Sequence, residues 1–207
     1  MKIVTVSREF GSGGRELGKR LADQLGFAYY DREILTAIAE KSQFHEDYVE
    51  NVLNQGAFAQ FPITYGHTFT YPSVLQQNAT KILVAQEEII KELGAKGEDC
   101  VIVGRSADVI LADYNPLNLF VYADKEAKMR RCRDRAPEGE NLTDRELERR
   151  IKQVDNSRAR YRQLLTSKRW GRKESYHLMI NTTDMSIKEM TPWIAELARH
   201  WFERGEK

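Results

Sequence analysis

A glycine-rich stretch near the start of the chain has the composition of a phosphate-binding loop. Residues 7–21 read SREFGSGGRELGKRL, and Gly11, Gly13 and Gly14 follow a short apolar run. Glycine lets backbone N–H groups approach a ligand closely, and the N-terminus of a helix attracts anions. The stretch therefore predicts a phosphate site between a strand and a helix. A flexible strand-to-helix turn without a ligand is the alternative.

The Walker pattern G-x-x-x-x-G-K-[ST] fits this stretch in two ways. The literal fit starts at Gly13, ends at Gly18-Lys19 and puts Arg20 in place of the hydroxyl residue. However, Leu17 belongs to an apolar face that repeats every four residues, as in a helix. A phosphate loop that extended through residue 18 would disrupt this face.

We prefer the second fit, which starts directly after the predicted strand. In this fit Arg8 and Gly13 take the two glycine positions, Gly14 replaces the lysine and Arg15 replaces the hydroxyl residue. The charge of the missing lysine is then expected from Arg15 or Arg8. The second fit predicts a phosphate site formed by Arg8, Gly11, Ser12, Gly13, Gly14 and Arg15.

Other candidate residues also follow predicted strands. Short apolar runs predict strands at 2–7, 27–31, 100–103, 118–123 and 177–181. Strands that alternate with helices predict a parallel sheet with helices on both faces, and such sheets bind ligands beyond the carboxyl ends of their strands. Asp31 follows the second strand and Gly104-Arg105 follows the third, so we expect both near the phosphate loop.

Helical spacing of apolar residues indicates the connecting elements. The first predicted helix runs from the loop to Gly26, and the second follows Asp31, which is a possible N-cap. Further helices are predicted at 46–54, from 75 to about 94, and at 187–202. Two more are predicted on either side of the break at 136–144. Residues 56–73 are aromatic and rich in threonine, with Gly and Pro interruptions. They predict a loop or a small excursion.

The composition is that of a globular protein with one strongly basic segment. The 207 residues carry a net charge of +1, which gives no global indication of nucleic-acid or membrane binding. Between residues 128 and 173, however, 16 Lys and Arg face 7 Asp and Glu. This excess predicts a local anionic ligand, with a solvated helical face as the alternative.

Cysteine and histidine usage indicates neither a disulfide framework nor a metal site. The two cysteines form no motif, and the four histidines lack metal-ligand spacing. A signal peptide and a long apolar run are also missing from the sequence. We therefore expect a cytoplasmic protein with no membrane contact.

Several segments together give the chain a specific resemblance. It resembles the cytidylate kinase-like family, a divergent branch of the nucleoside monophosphate kinases, through SREFGSGGRELGKRLA, LGFAYYDREIL, CVIVGRSADVIL, NLFVYAD and VDNSRARYRQLLTSKRWG. The resemblance implies one P-loop kinase domain over 1–207, a three-layer α/β/α fold with a five-stranded parallel sheet. It further implies a monophosphate-binding and helical region at about 31–97 and a small helical lid at about 134–145.

The resemblance also implies a reaction and roles for individual residues. Its members transfer the γ-phosphoryl group of ATP to CMP or dCMP with Mg²⁺, a reaction that depends on positioning and charge neutralisation. Acceptor-binding positions of the family match Asp31, Arg105, Asp155 and Arg158. For Asp31 a helix cap, and for Arg105 a structural salt bridge, are the alternatives. The residues expected to neutralise the transferring phosphoryl group are Arg15, Arg131, Arg135 and Arg158.

The sequence departs from conventional cytidylate kinases at Ser106, at Val103 and at Arg15 in the Walker hydroxyl position. Ser106 stands where an aspartate helps to read cytosine, and Asp108 is a possible substitute for that aspartate. Val103 stands where a carboxylate is usual. The protein ligand of Mg²⁺ is open between Ser7, Ser12 and the nucleotide's own phosphates with water. Besides a kinase, the alternatives are a nucleotide-binding regulatory protein and, less favoured, a nucleic-acid-binding module.

Overall fold

A five-stranded parallel sheet lies at the centre of the computed structural model, which describes residues 1–55, 74–137 and 139–204. In the order β2-β3-β1-β4-β5, the strands are β1 (Ile3–Arg8), β2 (Ala28–Tyr30), β3 (Cys100–Val103), β4 (Leu117–Tyr122) and β5 (Leu178–Asn181). All five predicted strands are confirmed, as is their parallel pairing. The loop predicted at 56–73 lies outside the described residues.

Eight α-helices surround this sheet in the described part of the chain. They are α1 (Gly14–Leu25), α2 (Arg32–Ser42), α3 (Glu46–Gln55), α4 (Val74–Ala95), α5 (Ala107–Ile110), α6 (Lys125–Asp134), α7 (Asp144–Leu165) and α8 (Ile187–Arg204). Gly26 ends α1 in the left-handed conformation, and Thr143 begins α7 with a capping box to Glu146. Within the described ranges, no helix has both the length and the apolar character needed to span a membrane.

The alternation of side chains along the strands creates two cores, one on each face of the sheet. In β3, Cys100 and Ile102 pack with α2, α3 and α4, whereas Val101 and Val103 pack with α1 and α8. Each fully buried aliphatic side chain contributes roughly 1.5–3 kcal/mol relative to exposure to water. The two cores confirm the predicted three-layer α/β/α arrangement.

A glycine lets α1 lie close against the sheet. A Cβ atom on Gly18 would come within 2.5 Å of Val103 Cγ2, so a larger residue there would push the helix away from β3. Leu17 and Leu21 of the same helix are fully buried in the core beside α8. The glycine of the literal Walker fit therefore has a packing role inside α1.

A buried ion pair ties α5 to α7. The Arg162 guanidinium donates a hydrogen bond to the Asp108 carboxylate, and both side chains are 2% exposed. Arg162 Nε also donates to the Lys168 carbonyl at 3.1 Å, and the guanidinium lies 5.0 Å from the centre of the Tyr176 ring. Asp108 is therefore engaged in a structural pair, which argues against the substitute role considered for it.

The buried pair generates a stability prediction. Arg162→Met should destabilise the protein by about 3–5 kcal/mol, because it leaves the Asp108 carboxylate buried without its counter-charge. Urea unfolding measures this loss. The double variant Asp108→Leu/Arg162→Met should recover most of it, since no buried charge remains. If the losses of the two single variants simply add in the double variant, the pair acts through packing and not through charge.

Candidate functional site

The loop between β1 and α1 has the geometry of the second Walker fit. Gly11 and Gly13 have φ angles of 77° and 81°, and α1 begins at the next residue. Leu17 lies inside this helix, and Lys19 Nζ is paired with Asp23 Oδ1 at 2.6 Å on the exposed side. The turn that presents backbone N–H groups at a helix N-terminus is therefore residues 9–14, which we call the phosphate loop.

Close contacts explain the glycines of the phosphate loop. A Cβ atom on Gly14 would lie 2.5 Å from Arg8 Cβ, and one on Gly11 would lie 2.9 Å from Cys132 Sγ of α6. The Ser12 side chain is buried, and its hydroxyl donates to the Glu9 carbonyl at 2.8 Å. Ser12 therefore stabilises the loop from within, and its side chain does not line the cavity described below.

Asp31 pairs with two arginines and does not cap α2. It occupies the N-cap position, but its side chain accepts no capping hydrogen bond. Instead its carboxylate lies 2.5 Å from Arg15 Nε and 3.7 Å from Arg8 Nη2. Asp31 thus occupies the predicted N-cap position, but its carboxylate is engaged by the two guanidinium groups instead of by the backbone of α2. Asp31 joins the start of α2 electrostatically to both ends of the phosphate loop.

The turn after β3 adopts a conformation that is unusual for side-chain-bearing residues. Gly104, Arg105 and Ser106 have φ angles of 79°, 57° and 52° in succession. Each non-glycine residue in this region costs about 1–2 kcal/mol. The turn directs Arg105 into the interior, where burial lowers the pKa of its guanidinium and no described group accepts a hydrogen bond from its Nε atom. Backbone strain beside a buried donor that has no acceptor is typical of a ligand site.

Gly104 gives room to the guanidinium of Arg8. A Cβ atom on Gly104 would lie 1.5 Å from Arg8 Nη1, so Arg8 lies directly across the backbone of this turn. Burial lowers the pKa of Arg8 well below its usual value, and the nearby Arg158, Arg105 and Arg15 act in the same direction. Several guanidinium groups are thus crowded together beyond the carboxyl ends of β1 and β3.

Asp155 and Arg158 of α7 are attached to the phosphate loop from the opposite side. Asp155 Oδ1 accepts a hydrogen bond from the Phe10 backbone N–H at 2.7 Å, and Arg158 Nη1 donates to the Arg8 carbonyl at 2.9 Å. Arg158 Nη1 lies 3.5 Å from Asp155 Oδ1. Burial raises the pKa of Asp155 to about 6 and lowers the pKa of Arg158 to about 10. Both charges are retained at neutral pH at a cost in solvation.

Arg131 and Arg135, which were predicted to neutralise the transferring phosphoryl group, are held beside the phosphate loop by partners that the sequence did not reveal. Arg131 Nη1 donates to Thr182 Oγ1 at 3.1 Å, and its other terminal nitrogen donates to the Thr182 carbonyl. Thr182 Oγ1 is also 2.7 Å from the Ser12 carbonyl, so this residue links β5, the phosphate loop and α6. Arg135 pairs with Glu16 in the first turn of α1.

A cavity of about 370 Å³ opens between these elements, within the usual size range of ligand pockets. It extends from the phosphate loop to α3, α4 and α7, and none of the described residues that line it is a lysine. The charged side chains among these lining residues are Arg8, Arg15, Arg105, Arg131, Arg135, Arg150, Arg158, Glu9, Glu50 and Glu140. This excess of guanidinium groups makes the cavity attractive to an anion with several phosphates.

The structure separates the predicted residues into two groups. Facing the cavity are Gly11, Gly13, Gly14, Arg8, Arg15, Arg105, Arg131, Arg135 and Arg158. Asp31 and Asp155 lie behind it, each in contact with arginines that face it. Thr182 carried no signal in the sequence. Arg162, another arginine of the basic segment, is buried in its pair with Asp108 and lies outside the cavity lining.

The residues around the phosphate loop suit phosphates better than they suit a bare metal ion. Glycine backbone and guanidinium groups offer donors and positive charge. Throughout the described ranges, no group of three His, Cys, Asp or Glu side chains could hold a metal. Magnesium in nucleotide sites takes many of its ligands from phosphates and water, with few from protein. An Mg²⁺ ion here would therefore rely mainly on the nucleotide.

The pKa of Asp155 generates a pH-dependent prediction. Its value rises from 3.8 to about 6 on folding, so between these pH values the native state binds more protons than the unfolded state. Stability contributed by this group therefore falls as pH rises through that range. The free energy of unfolding of Asp155→Asn, taken relative to that of wild type, should therefore be about 2 kcal/mol higher at pH 7.5 than at pH 4.5.

Urea unfolding at the two pH values measures this difference. Asp23→Asn, at an exposed carboxylate of α1, is the matched control and should show a smaller change. An equal change in both variants would mean that Asp155 is not buried as described.

The contact between Gly104 and Arg8 generates a second prediction. Gly104→Ala should cost clearly more than the about 1–2 kcal/mol expected for a left-handed alanine, because the new Cβ must displace the buried guanidinium of Arg8. Gly97→Ala is the matched control, since Gly97 has a φ angle of 73° and no atom within 4 Å of the added Cβ. Chemical unfolding of both variants gives the comparison. Equal losses would show that Arg8 moves aside without cost.

Comparison with solved structures places the fold among the P-loop kinases. An uncharacterized protein from Eubacterium ventriosum ATCC 27560 has 23% identity and a TM-score of 0.67, with 96% of this chain and 99% of that chain covered. Shikimate kinase from Bacteroides thetaiotaomicron has 16% identity and a TM-score of 0.58, with 96% of this chain and 98% of that chain covered. Shikimate kinase from Acinetobacter baumannii, in complex with shikimate, has 14% identity and a TM-score of 0.54, covering 95% and 92%. These likenesses show the fold alone.

Sequence comparison identifies the family. No curated protein sequence matches the chain. The model of the cytidylate kinase-like family, however, matches residues 3–184. This range contains all five strands, the phosphate loop, α6 and α7. Because the match covers most of the chain, the protein belongs to the cytidylate kinase-like family.

Proposed function

We propose that this protein transfers the γ-phosphoryl group of ATP to a nucleoside monophosphate, with CMP or dCMP as the favoured acceptor. The observation that carries the proposal is the arginine-lined cavity at the N-terminus of α1, beyond the carboxyl ends of β1 and β3. In a P-loop kinase this edge of the sheet binds the nucleotide phosphates. Family membership favours a phosphotransferase over a binding protein of another class.

The donor half of the proposed site is the phosphate loop together with α6. Backbone N–H groups of residues 11–15 would contact the ATP phosphates. Arg131 and Arg135 would neutralise charge on the transferring group, and their contacts with Thr182 and Glu16 already orient them toward the loop. Mg²⁺ bound to the ATP phosphates would supply further charge neutralisation. Positioned cations of this kind favour the transition state without reorganising during the reaction.

The acceptor half consists of the arginines on the other side of the loop. Arg105 and Arg158 are suited to the acceptor phosphate, because a guanidinium can donate two parallel hydrogen bonds to one anion. Asp31 and Asp155 do not line the cavity, but each contacts an arginine that does. The two aspartates would therefore act as positioning residues. In this proposal, the monophosphate-binding region spans about 31–97 and the lid about 134–145.

A nucleotide-binding regulatory protein with little transfer activity is the second candidate. The observation that favours it is the Arg15–Asp31 pair, which occupies the position of the Walker hydroxyl residue and engages a guanidinium that transfer would need. The transferring phosphoryl group of ATP would have to compete with the Asp31 carboxylate for Arg15. The two candidates therefore differ in turnover and not in nucleotide binding.

The deciding experiment measures ADP formation with ATP, Mg²⁺ and each nucleoside monophosphate in separate reactions. We expect acceptor-dependent turnover, highest with CMP or dCMP. Nucleotide binding without acceptor-dependent ADP would favour the regulatory protein. Absence of nucleotide binding would exclude both candidates.

The same assay tests which residue replaces the Walker lysine. Loss of a positioned cation at the transferring phosphoryl group should raise the barrier by roughly 3–4 kcal/mol. Either Arg8→Ala or Arg15→Ala should therefore lower kcat about 100- to 1000-fold. Lys19→Ala is the matched control, because the literal Walker fit would make it the essential lysine and the structure puts it on the exposed side of α1. A large loss only in the Lys19 variant would reverse the assignment.

A further inference from the structure

A buried glutamine projects into the cavity without the hydrogen bonds it would need as a structural residue. Gln86 of α4 is fully buried and lines the cavity. Its neighbours on the helix face, Ile82, Ile89 and Ile90, belong to the apolar core. No described group makes a hydrogen bond of good geometry to its Nε2 or Oε1 atom. The Tyr161 hydroxyl lies beside the amide and is in position to exchange one hydrogen bond with it.

The amide at this position is costly for folding alone. A carboxamide offers two N–H donors and an acceptor oxygen with two lone pairs, and one contact with Tyr161 uses only part of this capacity. Buried polar groups that make no hydrogen bond are destabilising. Leucine or methionine would suit a position surrounded by isoleucines. The free amide capacity is therefore directed at something that enters the cavity.

The surroundings of Gln86 restrict the chemistry of that ligand. Arg105 lies in the same lining, carries an Nε donor with no acceptor among the described groups, and interacts electrostatically with Tyr161. A ligand that satisfies both residues has an anionic group for the guanidinium and a neutral edge with adjacent donors and acceptors for the amide. A nucleoside monophosphate combines a phosphate with such an edge on its base. A carboxamide can form paired hydrogen bonds with a base edge of this kind.

We propose that Gln86 reads the hydrogen-bonding edge of the acceptor's base and thereby determines acceptor specificity. The proposal rests on the proposed function, because it assumes that the acceptor is a nucleoside monophosphate. It assigns base recognition to the α3–α4 side of the cavity, where Glu50 and Asn54 also line the wall. The phosphate remains with the arginines near the phosphate loop. An acceptor without a base would gain nothing from the amide.

The test compares binding of CMP with binding of ribose 5-phosphate, which carries a phosphate and a sugar but no base. Titration calorimetry without ATP separates binding from turnover. The variant Gln86→Met retains the side-chain length and removes the amide. We expect about 10- to 100-fold weaker CMP binding, unchanged ribose 5-phosphate and ATP binding, and folding stability equal to or above that of wild type. Gln77→Met, at an exposed position of α4, is the matched control and should change none of these.

Each other outcome overturns a defined part of the argument. If Gln86→Met retains the wild-type preference for CMP over ribose 5-phosphate, the inference is wrong and the proposed function stands. If Gln86→Met and Gln86→Leu both lose folding stability, the amide is structural and the inference is also wrong. Equal binding of CMP and ribose 5-phosphate by wild type likewise excludes base reading. If wild type binds neither, the inference and the proposed acceptor fail together.

Discussion

Mutual repulsion among guanidinium groups is the constraint around which this end of the molecule is organised. Arg8, Arg15, Arg105 and Arg158 interact electrostatically with one another, and burial adds a solvation cost for three of them. Asp31 and Asp155 offset this repulsion from behind the cavity. An incoming phosphate would relieve the repulsion further, since it brings negative charge to the centre of the group. The folded protein therefore favours the binding of an anion at this site.

The same constraint explains several features of the backbone. Glycines at 11, 14 and 104 allow the loop, α6 and the turn after β3 to come close to one another and to Arg8. Thr182 then links the phosphate loop to α6 through the Ser12 carbonyl and Arg131. These contacts fix the position of the phosphate loop relative to α6, the helix that carries Arg131.

The architecture could be predicted from the sequence because its determinants are local. Five apolar runs gave the strands, and the leucine repeat of α1 excluded a phosphate loop through Gly18. Asp31 occupies the predicted N-cap position, but its partners Arg8 and Arg15 could not be predicted, because they meet it only in the folded chain. Thr182 had no local signal, since a lone threonine after a strand has many roles. Gln86 did carry one, as a polar residue within the apolar stripe of α4, and its meaning depends on the cavity it faces.

The replacement of the Walker ammonium group by guanidinium groups changes the covalent chemistry of the site. The described residues that line the cavity include no lysine, and the nearby Lys128, which is not in the lining, is paired with the lining residue Glu9 at 2.9 Å. Acylating nucleotide analogues that label the lysine of ordinary phosphate loops therefore lack their usual nucleophile here. Vicinal dicarbonyl reagents condense with guanidines instead, and bound phosphate would shield those groups from them. The pocket should therefore react with arginine-specific reagents and not with the lysine-specific reagents that label ordinary phosphate loops.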